Sequence, residues 1–231
     1  MRIHSFHLSE VPARLTARAL LGANRPPIPG LEHIEQLSLM RLGAPPLSLE
    51  RLQLRRLATF AQWESETALE SWLDSDPVGR HHARGWHVRL QYVRRWGLVS
   101  GLRLPLNADT MGPDEPVVAV TLAHLRLPEL VRFFRWGRPV ERLVRDDPRQ
   151  TLAVAAVRPP RTFSTFTVWR SLTDMRDMVE GRGNGAGLRQ HADAMAERDR
   201  RDFHHEFTTL RFRPIAEHGS WQGRSGIIPS R

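Results

Sequence analysis

The sequence predicts an α+β protein in which two tandem ferredoxin-like repeats form one pseudo-dimeric α+β barrel. Each half of the chain shows the order strand, helix, strand, strand, helix, strand, which is that of the ferredoxin-like split βαβ unit. The segment FAQWES at 60–65 also aligns with FTVWRS at 166–171, which makes Trp63 and Trp169 equivalent. Two such units can bury one apolar face of each sheet between them, and we expect a pocket between sheet and helices in each half.

The first half spans residues 1–110 and consists of short apolar or alternating segments separated by proline-containing turns. Its predicted strands are 2–9, 31–42, 54–63 and 96–105. Its predicted helices are 10–22, 66–73 and 80–95. The last of these helices is predicted from a stripe that contains His82, Trp86, Leu90 and Val93. A turn-rich segment at 107–116 then separates the two halves.

The second half spans residues 114–223 and repeats this order before a tail at 224–231. Its predicted strands are 117–125, 152–157, 163–169 and 207–216. Its predicted helices are 127–145, 174–179 and 188–203. A glycine-rich loop at 180–187 precedes the last helix and is expected to form one wall of a pocket.

The composition excludes several classes of site and partner. The 231 residues contain no cysteine, which excludes disulfides, zinc–thiolate sites, iron–sulfur clusters and thiolate-ligated heme. The formal net charge is +9, but no nucleic-acid-binding motif accompanies it, so nucleic acid is not an expected partner. No apolar run approaches the roughly 20 residues of a membrane span, and the N-terminus lacks a secretory signal. The expected location is therefore the cytoplasm.

Two histidines stand out as candidate metal ligands. His191 shares one apolar helix face with Leu188, Ala192 and Met195, at the spacing i, i+3, i+4 and i+7. His82 occupies the matching place in the first repeat. A buried neutral imidazole is either hydrogen-bonded in the core or bound to a metal, so a structural role and a ligand role are both open for these two residues.

Long segments of the chain resemble the spheroidene monooxygenase family, which consists of heme-containing carotenoid ketolases related to the dimeric α+β barrel superfamily. The N-terminal segment of this resemblance is RALLGANRPPIPGLEHIEQLSLMRLG. The most specific segment is PVVAVTLAHLRLPELVRFFRWGRPVERLVRDDPRQTLAVAAVRPPRTFSTFTVW. The C-terminal segment is HADAMAERDRRDFHHEFTTLRF, followed by HGSWQGRSG. The resemblance therefore covers nearly the whole chain.

This resemblance implies heme b as cofactor and insertion of oxygen into a C–H bond of a hydrophobic, carotenoid-like substrate, giving a hydroxyl or a ketone. His191 would be the proximal iron ligand, Trp169 and Phe166 would line the pocket, and Met195 and Arg189 would contact the cofactor. Arginines near the pocket, such as Arg189, would pair with the heme propionates, and the sequence does not choose among them. Dioxygen and an electron donor such as a ferredoxin are the expected partners, and a lipophilic substrate would favour peripheral association with a membrane.

A second segment, WESETALESWLDSDPVGRHHA, is similar to heme-degrading monooxygenases of the antibiotic-biosynthesis-monooxygenase superfamily. Those enzymes have a tryptophan ten residues before the heme-binding histidine, a spacing that falls here on Trp72 and His82. His82 is therefore the alternative iron ligand. The alternative functions are heme degradation, a dehydratase-type reaction, and binding of an apolar ligand without catalysis.

Overall fold

A computed structural model describes residues 2–22, 27–43, 53–182, 193 and 196–230 of the chain. Its strands are β1 (Ile3–Glu10), β2 (Leu31–Met40), β3 (Gln53–Trp63), β4 (Trp86–Leu98), β5 (Val117–Leu125), β6 (Gln150–Arg158), β7 (Thr162–Trp169) and β8 (His204–His218). Its helices are α1 (Ala13–Leu21), α2 (Glu66–Ser75), α3 (Pro77–Arg84), α4 (Leu130–Asp146) and α5 (Leu172–Val179). A 3-10 turn, Leu127–Glu129, precedes α4, and 193 and 196–200 are also helical. Within these ranges, no helix has the length and apolar character needed to cross a membrane.

The strands form one closed barrel in the order β1-β3-β2-β6-β7-β5-β8-β4. Each half contributes a four-stranded antiparallel sheet in ferredoxin-like order. The first half has the order β4-β1-β3-β2 and the second half has the order β8-β5-β7-β6. Two seams join the sheets: a short one, where residues 38–40 pair with 155–157, and a long one, where residues 87–98 pair with 207–218. The predicted barrel of tandem ferredoxin-like repeats is therefore confirmed.

The strand register confirms the internal repeat. Trp63 on β3 lies opposite Ile3, the first residue of β1, and Trp169 on β7 lies opposite Val117, the first residue of β5. Both indole nitrogens donate a hydrogen bond of 2.9 Å to a nearby hydroxyl, Ser5 Oγ in the first half and Thr167 Oγ1 in the second. Residue equivalence between the halves can therefore be read directly from these two strand pairs.

The barrel interior is the main hydrophobic core and contains side chains from both halves. Phe6 of β1 stacks on Phe166 of β7 with ring centroids 3.7 Å apart. The C-terminal segment closes one end, because Trp221 and Ile227 belong to the same core cluster. The Glu217 carboxylate holds this segment in place by accepting hydrogen bonds from the Ile227 and Ile228 amides, at 2.8 and 3.0 Å.

The predicted helix at 80–95 is wrong beyond Arg84. Helix α3 ends before Gly85, where an added Cβ would lie 2.3 Å from the Leu8 carbonyl oxygen, and β4 begins at Trp86. In β4, Trp86, Val88 and Leu90 point into the barrel. Positions four residues apart share a face both on a helix and on a strand, so the stripe alone did not separate the two structures. The predicted strand at 96–105 correspondingly ends at Leu98.

Candidate functional site

Among the described residues of the first half, the interface between the sheet and the helices is packed with side chains, which does not match the pocket expected there. Helices α1, α2 and α3 cover the outer face of the sheet. One continuous cluster of buried side chains fills the interface between them, made of Ile3, Val11, Ala19, Leu57, Ala61, Trp63, Leu69, Trp72, Leu73 and Val78. The core of this half thus occupies the space that a heme bound at the alternative ligand His82 would need.

His82 lies inside this packed layer with both ring nitrogens engaged. Its side chain is completely buried, with Nδ1 at 2.9 Å from Ser9 Oγ and Nε2 at 2.7 Å from Thr59 Oγ1. Burial lowers the pKa of His82 to about 3, so the imidazole is neutral. A neutral imidazole has one donor and one acceptor nitrogen, and both are used here. Iron binding by His82 would require the loss of one of these hydrogen bonds.

A histidine ladder, formed by His7, His87 and His218 on the neighbouring strands β1, β4 and β8, continues this layer. His7 lies 5.1 Å from the His82 ring, and it stacks on His87, which stacks on His218, with centroid separations of 5.2 and 4.8 Å. The stacked rings do not converge on one point. In the part of the chain that the structure describes, no group of three or more His, Asp or Glu side chains is arranged to hold a metal ion.

The outer face of the second-half sheet has smaller side chains at the equivalent positions. The register makes Ser5 equivalent to Ala119, and His7 equivalent to Thr121. The residues at the centre of this face are small and only half-buried, and we call them the small-residue patch: Ala119, Thr121, Ala153, Thr165 and Thr209. They adjoin across four strands, since Thr121 lies opposite Thr165 on one side and Thr209 on the other. At this position the second half therefore has a short threonine side chain where the first half has an imidazole.

Two separate apolar clusters flank the small-residue patch and give it walls. One contains Met40, Leu42, Ala123, Leu125, Ala155 and Phe163, with Phe133 of α4 packed against it. The other contains Val117, Trp169, Leu172, Met175 and Met178, with Val144 of α4 packed against it. Helix α4 thus spans both clusters, yet Glu141 is its one buried residue and its apolar side is half-buried. We use the name second-half cleft for the region that α4, α5 and the patch border among the described residues.

The structure does not bring the predicted site residues Phe166 and Trp169 together. Phe166 is 1% exposed and faces the barrel interior, whereas Trp169 belongs to the cluster on the outer face. Only Trp169 therefore borders the second-half cleft. His191, Arg189 and Met195 lie outside the described residues.

A pair of arginines at the edge of the cleft was missed by the sequence analysis. Arg211 lies opposite Ala119 on one side and Arg94 on the other. The Arg94 and Arg211 guanidinium carbons lie 4.0 and 4.7 Å from the centre of the Trp96 ring. Burial, together with the charges of Arg176 and Arg94, lowers the pKa of Arg211 to about 10. No sequence signal identifies this pair, because arginines occur along the whole chain and only the β4–β8 pairing brings these two together.

This arrangement suits a flat, apolar ligand that carries an anionic group. The walls are apolar, the floor has short side chains, and cations stand at one edge. Ligand sites commonly combine a mainly apolar lining with a few polar groups that fix orientation.

No family model matches the sequence, and no curated protein matches it. Among solved structures, the chain is similar to the aldoxime dehydratase OxdRE in complex with butyraldoxime, with 9% identity over 93% of this chain and 79% of the other and a TM-score of 0.54. It also matches a candidate monooxygenase from Fusobacterium nucleatum, with 6% identity over 94% of both chains and a TM-score of 0.40. A heme-degrading enzyme from Listeria monocytogenes matches with 10% identity over 89% of this chain and 98% of the other, at a TM-score of 0.29. The first of these likenesses shows a shared fold.

Proposed function

We propose that the protein is a heme-dependent monooxygenase that binds its cofactor and a hydrophobic substrate in the second-half cleft and oxidises a C–H bond to a hydroxyl or a ketone. The observation that supports this most strongly is the half-buried small-residue patch, flanked by two apolar clusters against which α4 packs. A carotenoid is the substrate that the sequence resemblance suggests. Dioxygen and a reductant such as a ferredoxin would complete the reaction.

The residues of the cleft fit a planar, largely apolar macrocycle. Thr121 and Ala119 stand where the first half has His7 and Ser5, so the second half lacks a ring at the centre of the sheet. Half-buried apolar side chains of α4 pack against the two clusters that flank this floor, and Trp169 belongs to one of these clusters. Phe166 would support the floor from the barrel side without touching the cofactor.

His191 is our proposed iron ligand, with Arg189 and Met195 as proposed cofactor contacts. A histidine in the second-half position equivalent to His82 would face Ala123 in place of Ser9 and Thr165 in place of Thr59. It would keep one hydroxyl partner and leave one ring nitrogen free. A metal-binding histidine is commonly oriented by a hydrogen bond to its second nitrogen, and the Thr165 hydroxyl would serve that purpose.

When bound, heme would supply the activation of dioxygen that the side chains of this chain do not provide. The chain's own contribution would be to exclude water with the two apolar clusters and to orient the substrate between α4 and the sheet. The hydroxyl groups of Thr121, Thr165 and Thr209 belong to the small-residue patch and would hold and pass on a proton.

A titration with hemin tests the cofactor and its ligand. The wild-type protein and the variants His82→Ala and His205→Ala should develop the absorption band of bound heme, whereas His191→Ala should not. His205 is exposed and serves as the matched control. The absence of this band in the wild type would refute the heme proposal. Loss of the band in His82→Ala with retention in His191→Ala would instead make His82 the ligand.

Analysis of products with a reductant present separates the proposed reaction from its alternatives. An oxygenase should consume dioxygen and return a hydroxylated or ketonic carotenoid while its heme absorption persists. Heme degradation would bleach that absorption, and a dehydratase would act on an added aldoxime without consuming dioxygen. A colourless protein that still binds an apolar ligand would favour a non-catalytic role.

A further inference from the structure

We propose that Arg211 and Arg94, held against Trp96, form a carboxylate-binding subsite at the edge of the second-half cleft. This inference deepens the proposed function and rests on it for the position of the ligand. Either a heme propionate or a carboxylate of the hydrophobic substrate would supply the anion.

Arg211 is a buried cation without a described anionic partner. It is 6% exposed, its Nε has no hydrogen-bond partner, and none of the described carboxylates forms an ion pair with it. Arg213, the next outward-facing residue of β8, is more exposed and yet binds Glu115 and Asp109 at 2.7 and 2.5 Å. Burial of a charge without a partner is strongly unfavourable. An arginine retained in such a place is therefore expected to meet an anion in a bound ligand.

Arg94 adds a second positive charge beside Arg211, which makes the site more selective for anions. It lies directly opposite Arg211 across the β4–β8 seam, and its Nε is also buried without a hydrogen-bond partner. Two adjacent guanidiniums repel each other, and an anion placed between them relieves that repulsion. A ligand with a negative charge should therefore bind much better than its neutral ester.

Trp96 supplies the geometry of the subsite. Its ring is 39% exposed and holds both guanidinium carbons within 4.7 Å of its centre. Stacking on an aromatic face fixes the plane of an arginine, and the planar guanidinium then matches a carboxylate with two parallel hydrogen bonds. Because Ala119 of the small-residue patch lies beside Arg211, a ligand in the cleft would present its carboxylate at this edge.

Paired ligands with and without a free carboxylate test the proposal. We would titrate hemin against hemin dimethyl ester, and laurate against methyl laurate, into the wild type, Arg211→Gln, Arg94→Gln and the control Arg18→Gln. Arg18 is exposed on α1 of the first half, so its variant has the same charge change away from the cleft. In the wild type and the control, the free acid should bind roughly 10- to 100-fold more tightly than the ester, as expected for hydrogen bonds to charged groups. This preference should disappear in both cleft variants.

The two ligand pairs identify the source of the carboxylate. A preference for hemin over its diester that depends on Arg211 assigns the subsite to the propionates. A preference for laurate alone assigns it to the substrate, and the subsite then stands even if hemin does not bind and the heme proposal fails. If hemin binds through His191 but neither acid is preferred over its ester, the subsite is refuted while the heme proposal stands.

The stability of the ligand-free protein gives a second readout that does not depend on a probe. Arg211→Met keeps the packing against Trp96 and removes the unpaired charge, so its melting temperature should exceed that of the wild type. A lower melting temperature, combined with an unchanged preference for acids over esters in Arg211→Gln, would make Arg211 a structural residue and overturn the proposal. Tighter binding of inorganic phosphate than of laurate would also refute the assigned ligand class.

Discussion

His7 and Thr121 occupy the same position in the two halves of the barrel, and each lies opposite an equivalent threonine, Thr59 or Thr165. The imidazole of His7 fills the layer between sheet and helices, together with Trp72 and His82. Thr121 has a shorter side chain at the equivalent position and belongs to the half-buried small-residue patch. This pair of equivalent residues thus marks where the packed layer of the first half differs from the second-half cleft.

Filling the cleft should weaken ligand binding without unfolding the protein. We expect Thr121→His to weaken hemin binding at least about tenfold, because the new ring would occupy the space above the patch. Thr121→Val conserves volume and should bind hemin nearly as the wild type does. Absorption titrations of both variants measure this, with circular dichroism as the check on folding. Equal hemin affinity in all three proteins would place the ligand elsewhere.

Acidification should destabilise the first half through its buried histidines. Burial lowers the pKa of His82 to about 3 and that of His87 to about 4, from 6.5. The unfolded chain therefore binds more protons than the folded one as the pH falls from 6.5 towards 4, and the free energy of unfolding decreases by up to about 1.4 kcal/mol per pH unit for each histidine. Above pH 6.5 this contribution is fully present.

Urea unfolding across this pH range provides the measurement. The variant His82→Gln keeps an amide that can hydrogen-bond Ser9 and Thr59 but cannot titrate. The slope of its free energy of unfolding against pH should therefore be smaller than that of the wild type by the contribution of one histidine. The exposed His205→Gln serves as the control and should leave the slope unchanged. A slope of zero in the wild type between these pH values would contradict the burial of neutral imidazoles.

Phe166 and Trp169 should respond differently to substitution. Phe166→Leu weakens the stacking on Phe6 inside the barrel and should lower the free energy of unfolding by about 1–2 kcal/mol while hemin affinity stays the same. Trp169→Phe borders the cleft and should lower hemin affinity. Measuring the free energy of unfolding and the hemin affinity of both variants distinguishes a core residue from a residue of the ligand site. A loss of hemin affinity in Phe166→Leu would contradict the assignment of Phe166 to the core.

Glu217 should control the closure of one barrel end. Its carboxylate accepts hydrogen bonds from the Trp86 indole at 2.6 Å and from two amides of the C-terminal segment. Glu217→Ala leaves these donors without a partner and should cost about 1–3 kcal/mol of unfolding free energy. The segment from Trp221 onward should then be cleaved early in limited proteolysis. Glu64→Ala, at an exposed position, should leave the cleavage pattern of the wild type intact.

The barrel was predictable because its signals are local and repeated. The order of segments and the equivalence of Trp63 and Trp169 together define two similar sheets. The boundary at Gly85 was not predictable from periodicity, since the residues at 86 and 90 share a face in either structure. The repeat also suggested equal pockets, whereas the difference depends on how deeply His7 packs, which only the tertiary structure reveals. Arg94 and Arg211 meet only because β4 and β8 pair.

The unequal lengths of the two seams determine how this barrel would move. Residues 87–98 and 207–218 form a long hydrogen-bonded ribbon, whereas the seam between β2 and β6 spans residues 38–40 and 155–157. Local opening follows the boundary with the fewest backbone hydrogen bonds. The two halves should therefore separate at the β2–β6 seam, while the β4–β8 ribbon stays paired and acts as the hinge. Amide hydrogens at 155–157 should exchange with solvent sooner than those at 208–212.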